Sequence, residues 1–260
     1  MRIAMGVEYD GRAFCGWQSQ KEDLPTVQDS LEAGLSIVAN TPLKVICAGR
    51  TDTGVHACGQ VVHFDTDTER NERSWVLGTN ANIDKAIAVL WAKPVSEEFH
   101  ARFSAQRRRY RYVITNRFVR PTFAAGRVSW DHRYLDEQRM QQAANHLLGE
   151  HDFNAYRAAA CQAHSPVRTI YHLTVQRKED LVIIDIEANA FLHHMVRNIA
   201  GVLITIGAGE QEVDWSKAVL ETRDRTLGGV TAPPHGLYFM GVAYPPEFGI
   251  PQLSPTQLVW

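Results

Sequence analysis

The feature that most limits how this chain can fold is a doubled alternation of hydrophobic patterns. The order is strand, helix, strand, strand, helix, strand, and then the same again. Residues 1–9 alternate and predict a strand. Thr26 stands where a helix N-cap would, with Asp29 three residues on, and Val27, Leu31, Leu35 and Val38 follow at helical spacing. Strands are expected over 43–48 and 60–65, a helix over 72–79 and a buried strand over 86–92. The later half predicts a strand over 107–115, a helix over 136–148 stopped by Gly149, and a hairpin of 169–177 with 181–188. An apolar helix over 191–207, a helix over 214–222 and a last strand over 237–244 complete it. Two βαββαβ units in succession predict an α+β fold class: two ferredoxin-like halves forming a largely antiparallel sheet, with helices on one face and the other left for a ligand. The junction is expected within 93–106, around Pro94, dividing residues 1–100 from 101–260.

Charge narrows the ligand. The chain of 260 residues carries 27 Lys and Arg against 29 Asp and Glu, so a globally basic coat is excluded and any basic surface must be local. Locally it is pronounced. Eight arginines (102, 107, 108, 109, 111, 117, 120 and 127) lie between Ala101 and Trp130, with no Asp or Glu among them. On a strand, Arg108, Tyr110 and Tyr112 share one face and Arg107, Arg109 and Arg111 the other. Guanidinium groups bind phosphate through paired hydrogen bonds, and tyrosine rings offer stacking platforms to unpaired bases. Arg102, Arg107, Arg108, Arg109 and Arg111 are therefore candidate RNA contacts lining a binding cleft. The competing reading is a solvated edge strand guarded by charge.

The second unusual segment is AGRTDTGVHACG (48–59), a polar loop expected between two strands, punctuated by Gly49, Gly54 and Gly59. Asp52 is its one acid, with Arg50 two residues before and His56 four after. A carboxylate held in such a loop can serve as nucleophile or general base; equally, it can cap its own turn. Rival chemistries fare worse. Asp-Thr-Gly is also an aspartic-protease triplet, but those sites need two aspartates and this chain has one such triplet. His56, Cys58, His63, His193 and His194 lack the spacing of a metal site and read as structural histidines and a structural thiol. No phosphate-binding or dinucleotide-binding glycine motif occurs. Cys15, Cys47, Cys58 and Cys161 are too scattered for a disulfide framework. The longest apolar run, Ile199 to Gly209, has 11 residues where a membrane span needs about 20, and a soluble cytoplasmic protein is expected.

Taken together, EYDGRAFCGWQ (8–18), VQDSLE (27–32), AGRTDTGVHACGQVVHF (48–64), FHARFSAQRRRYRY (99–112), NAFLHHMVRNIAG (189–201) and GLYF (236–239) resemble the TruA family of tRNA pseudouridine synthases. The resemblance implies an isomerase that converts uridine to pseudouridine at positions 38, 39 and 40 of the tRNA anticodon stem-loop. It also implies a homodimer working without cofactor or metal. It matches Asp52 to the catalytic aspartate and Tyr110 to a tyrosine that stacks on the target base. Arg50 matches an arginine that helps flip the base, Arg197 a basic partner of the aspartate, Leu237 an apolar pocket residue and Arg70 an RNA contact. Thr53 departs from the alanine usual after the aspartate, Cys15 from a common aromatic, and the last dozen residues show no match. The alternative from another class is a non-catalytic RNA-binding module with the same basic sheet, and Asp52 discriminates, because a pure binder gains nothing from an anion near phosphate.

Overall fold

The computed structural model describes residues 1–22, 24–159 and 161–252, so most of the unmatched C-terminal dozen lies outside the described residues. The chain divides into two compact units: Met1–Gln106 together with Tyr238 onward, and Arg107–Leu237.

The first unit begins with β1 (Arg2–Tyr9), α1 (Val27–Ala39), β2 (Ile46–Cys47), β3 (His56–Asp65), α2 (Glu72–Asn82) and β4 (Ile87–Val95). β1 pairs antiparallel with both β3 and β4, and β2 pairs antiparallel with β3. The resulting order β4-β1-β3-β2 is that of a split βαβ pair. α1 starts as its sequence requires: the Thr26 hydroxyl oxygen accepts from the Asp29 N–H at 3.2 Å, and Thr26 Oγ1 lies 2.5 Å from the Asp29 carboxylate. It ends at Asn40, in the left-handed region at φ 54°. α1 and α2 lie against each other, since a Cβ on Gly78 would meet Val38 at 2.9 Å, and both therefore cover the same face of the sheet.

The second unit contains β5 (Arg107–Asn116), β6 (Ser129–Asp131), α3 (Glu137–Asn145), β7 (Gly149–Asp152), β8 (Val167–Lys178), β9 (Leu181–Ala188), α4 (Met195–Gly207) and α5 (Trp215–Thr222). Its sheet runs β5-β9-β8-β7 through antiparallel pairs, with β6 parallel to β5. α3 and α4 meet where a Cβ on Gly207 would touch Met140 at 2.7 Å. The last strand, β10 (Leu237–Ala243), returns from Tyr238 on to the first unit and pairs parallel with β3 there, Tyr238 opposite His56 and Phe239 opposite Ala57.

The mixed α and β architecture with mostly antiparallel sheets agrees with the sequence pattern. Three local expectations are corrected. The loop expected over 48–59 ends at Val55, because His56–Gly59 are already strand, and Gly59 is needed where a Cβ would lie 2.4 Å from the Met240 carbonyl oxygen. The helix expected from 191 starts at Met195, because His194 sits at φ 61° and breaks the run. Gly149 does not stop a helix directly but opens the short strand β7 at φ 91°. All four cysteines are free thiols, and among the described residues no helix is long and apolar enough to cross a membrane.

Candidate active site

In the first unit, Asp52 sits half-buried in a turn closed by the Val55 N–H to the Asp52 carbonyl at 3.1 Å. Gly54, third in that turn, has φ 77°, which side chains disfavour. The loop is anchored ahead of Asp52 at two points. At its entry the fully buried Gln60 side chain accepts from the Gly49 N–H at 3.3 Å and donates to the Gly49 carbonyl at 2.6 Å. Immediately before Asp52, the Thr51 hydroxyl lies 2.8 Å from the buried Tyr9 hydroxyl, and the Thr51 carbonyl accepts from the Trp17 N–H at 3.0 Å. Gly16, at φ 93°, lies so close that a Cβ there would stand 2.9 Å from the Thr51 carbonyl oxygen. The segment 9–17 thus wraps the aspartate turn, and its glycines are what let two backbones touch. A backbone turn fixed this way sets where the Asp52 side chain departs from the chain. Arg50 projects into solvent from the same loop.

In the second unit, Tyr110 is 8% exposed on β5 and meets the Phe191 ring edge-on at 5.0 Å. Arg197, in the first turn of α4, donates from Nε to the Ala232 carbonyl at 2.8 Å, while the Ala232 N–H donates to the Arg197 carbonyl at 3.1 Å. The next carbonyl, Pro233, accepts from the Tyr112 hydroxyl at 2.8 Å. Burial pushes the Tyr112 phenol up, against the opposing pull of Ser129 and the Arg197 charge. Tyr112 shares its strand face with Tyr110, and its hydroxyl and the Arg197 guanidinium both hold the 231–236 segment that leads to the buried Leu237.

The sequence profile of a family described as tRNA pseudouridine synthase matches residues 5–104 and 143–245. The chain is 58% identical over 260 residues to the tRNA pseudouridine synthase A of Nitrosococcus oceani, covering all of both chains. To the protein of that name from Pseudomonas aeruginosa it is 57% identical over 251 residues, covering 96% of this chain and 88% of the relative. To that of Coxiella burnetii it is 53% identical over 252 residues, covering 97% and 96%.

The chain belongs to the tRNA pseudouridine synthase family.

It is accordingly an isomerase that turns uridine into pseudouridine in tRNA, and the reading as a non-catalytic binding module is set aside.

Among the members of the arginine cluster, the structure separates roles. Arg111 is bidentate to Asp185, at 3.0 Å and 2.8 Å, with both side chains largely buried. Arg107 pairs with Glu187 at 3.0 Å and lies 4.4 Å over the Tyr171 ring, and Arg109 reaches Asp185 at 3.7 Å. The face bearing 107, 109 and 111 thus meets acids of the neighbouring strand β9. Arg108, on the tyrosine face, donates to the Asn189 carbonyl at 3.0 Å. Arg102 belongs to the first unit, 5.4 Å from the Phe103 ring. Both Arg102 and Arg50 reach the electrostatic surroundings of Cys47, whose thiol burial nonetheless pushes up to about 12. Arg70 is exposed just ahead of α2, donating to the Glu69 carbonyl at 3.0 Å.

Sequence reasoning missed Tyr9, Gly11 and Gln60 as the scaffold of the aspartate turn. His56 and His63 are structural, as expected, each accepting a backbone N–H at Nδ1 (from Gly11 and from Ala101, both at 3.1 Å). The signal for Gly11 and Gly16 was present, two glycines five apart in a segment otherwise rich in side chains, but nothing local said which backbone they make room for.

Proposed function

We propose that this isomerase acts on uridines 38, 39 and 40 of the tRNA anticodon stem-loop, with Asp52 as its nucleophile. The observation that carries the reading is the Asp52 turn, held at its entry by Gln60, Tyr9 and Trp17 inside the most specific block of the family resemblance. A uridine in a stem is shielded and must leave the stack, at a cost of about a few kcal/mol. Arg50, exposed on the same loop, occupies the space the base vacates. Tyr110 stacks on the extruded ring, worth ~1–3 kcal/mol, with Leu237 as the apolar wall, Arg197 as the basic partner of the aspartate and Arg70 as an outer contact.

The reaction balances without a co-reactant. The bond between N1 and C1′ breaks, C1′ joins C5, and the proton lost from C5 is matched by one gained at N1. Asp52 contributes the transient bond to the nucleoside that keeps the pieces together while the ring turns. The same reading has the enzyme working as a cytoplasmic homodimer without cofactor or metal.

The test is incubation with unmodified tRNA transcript and position-by-position analysis for pseudouridine. Wild-type protein should modify 38, 39 and 40, and Asp52→Asn should lose turnover while still binding tRNA. Near-normal activity in Asp52→Asn would show that the carboxylate is structural.

A further inference from the structure

We propose that His56 is a positioning residue for Asp52, acting through the Nδ1 lone pair that it offers to the Gly11 amide. The inference rests on the reading of Asp52 as the nucleophile and concerns what fixes that carboxylate from its C-terminal side.

The entry to the Asp52 turn has its own anchors in Gln60, Tyr9 and Trp17. The exit runs Asp52, Thr53, Gly54, Val55, His56, and β3 begins at its last residue. The His56 ring is 3% exposed and lies flat on Tyr238, with centroids 4.7 Å apart and planes 18° from parallel. The stack fixes the ring plane, and the hydrogen bond fixes the ring edge: Nδ1 accepts from the Gly11 N–H at 3.1 Å. Gly11 in turn sits directly against the turn, since a Cβ there would lie 2.1 Å from the Val55 carbonyl oxygen. Gly11, Val55 and His56 therefore interlock, and a shift at His56 Nδ1 passes straight to the backbone three residues after Asp52.

Asp10 sharpens the assignment. Its Oδ1 lies 3.3 Å from His56 Nδ1, but one nitrogen cannot donate to Asp10 and accept from Gly11 at once. Both Asp10 oxygens are already served by Arg12, at 2.9 Å and 2.6 Å from Nε and Nη2, and Oδ1 also by the Arg12 N–H at 3.2 Å. The neutral ring, with its proton on Nε2, is the form that fits the Gly11 donor.

Two substitutions separate the ring from its lone pair. His56→Phe keeps the stacking surface on Tyr238 and puts a C–H where Nδ1 was. His56→Asn discards the ring and keeps an acceptor at the Nδ1 position. The expected result is a kcat about 100-fold lower for His56→Phe, with KM and tRNA affinity unchanged, and most of that loss restored in His56→Asn. If His56→Phe does not fold, His56→Gln, whose acceptor is one carbon further out, takes its place, and the loss relative to His56→Asn should be similar. Wild-type kcat in the variant lacking the acceptor overturns the proposal. So does a loss of activity that merely tracks a loss of melting temperature and of tRNA binding, or a failure of His56→Asn to recover kcat. Asp52→Asn is assayed alongside. If it stays active, the nucleophile reading falls and this inference with it; if it is dead while His56→Phe turns over normally, only this inference falls.

Discussion

Gly11 offers the sharpest quantitative test of how the aspartate turn is held. Its φ is not in the left-handed region, so alanine is conformationally acceptable there and any effect of Gly11→Ala is steric. A Cβ at this position would lie 2.1 Å from the Val55 carbonyl oxygen, 2.5 Å from its carbonyl carbon and 3.0 Å from the Gly54 carbonyl carbon. Non-bonded contact needs roughly 3.4 Å, so the two backbones must part by about 1 Å. Overpacking of this kind costs ~1–3 kcal/mol, which for a chain of this size lowers the apparent melting temperature by roughly 2–12 °C. The catalytic effect should be larger than that shift suggests, because a misplacement of about 1 Å costs ~100-fold in rate. The control is Gly241→Ala, where nothing lies within 4 Å of the added carbon. The assay is single-turnover pseudouridine formation on unmodified transcript, with tRNA affinity measured separately. Gly11→Ala should bind as wild type and react about two orders of magnitude more slowly, and Gly241→Ala should do neither. A Gly11→Ala enzyme within threefold of wild type would refute the argument that contact between segment 9–17 and the turn sets the rate.

Two other expectations concern stability and binding. His63 is buried, and burial, aided by the charges of Arg2 and His100, holds its pKa down at about 4. The unfolded chain takes up this proton near pH 6.5 and the folded one only near 4, so this part of the stability is complete above about pH 6.5 and drains toward pH 4, by up to ~1.4 kcal/mol per pH unit. Urea unfolding between pH 7 and 4.5 should show that slope in wild type and a flatter one in His63→Asn, and equal slopes would count against it. Arg111→Ala takes the bidentate partner from the largely buried Asp185 carboxylate, leaving it the longer contact with Arg109, and should cost about 2–3 kcal/mol of stability. Arg102→Ala should leave melting unchanged and reduce the salt slope of tRNA binding by about 1; the reverse pattern would exchange the two roles.

What was legible in the sequence was what neighbours decide. The Thr26 and Asp29 cap, the helical stripe behind it and the alternation of arginine and tyrosine along β5 depend on residues within a few positions, and the structure reproduces them. What escaped depends on distant chain. Gly59 reads as loop until the Met240 carbonyl is placed against it. The window from 101 to 130 holds no acid, yet Asp185 and Glu187 arrive across the β5–β9 ladder to meet Arg107, Arg109 and Arg111. The aspartate stood out by its surroundings in sequence, but the groups that hold it, Tyr9, Gly11 and Gln60, carry no local mark of that task.

The pairing of β10 with β3 has a consequence for biosynthesis. Tyr238 stacks on His56, yet it is translated 182 residues later, so at ~5–20 residues per second His56 waits roughly 10–40 s on the ribosome for the strand that covers it. During that interval the newborn chain carries the Asp52 turn without the finished support beneath it, and a message broken before codon 238 yields a polypeptide with most of its length and an unbuttressed aspartate turn.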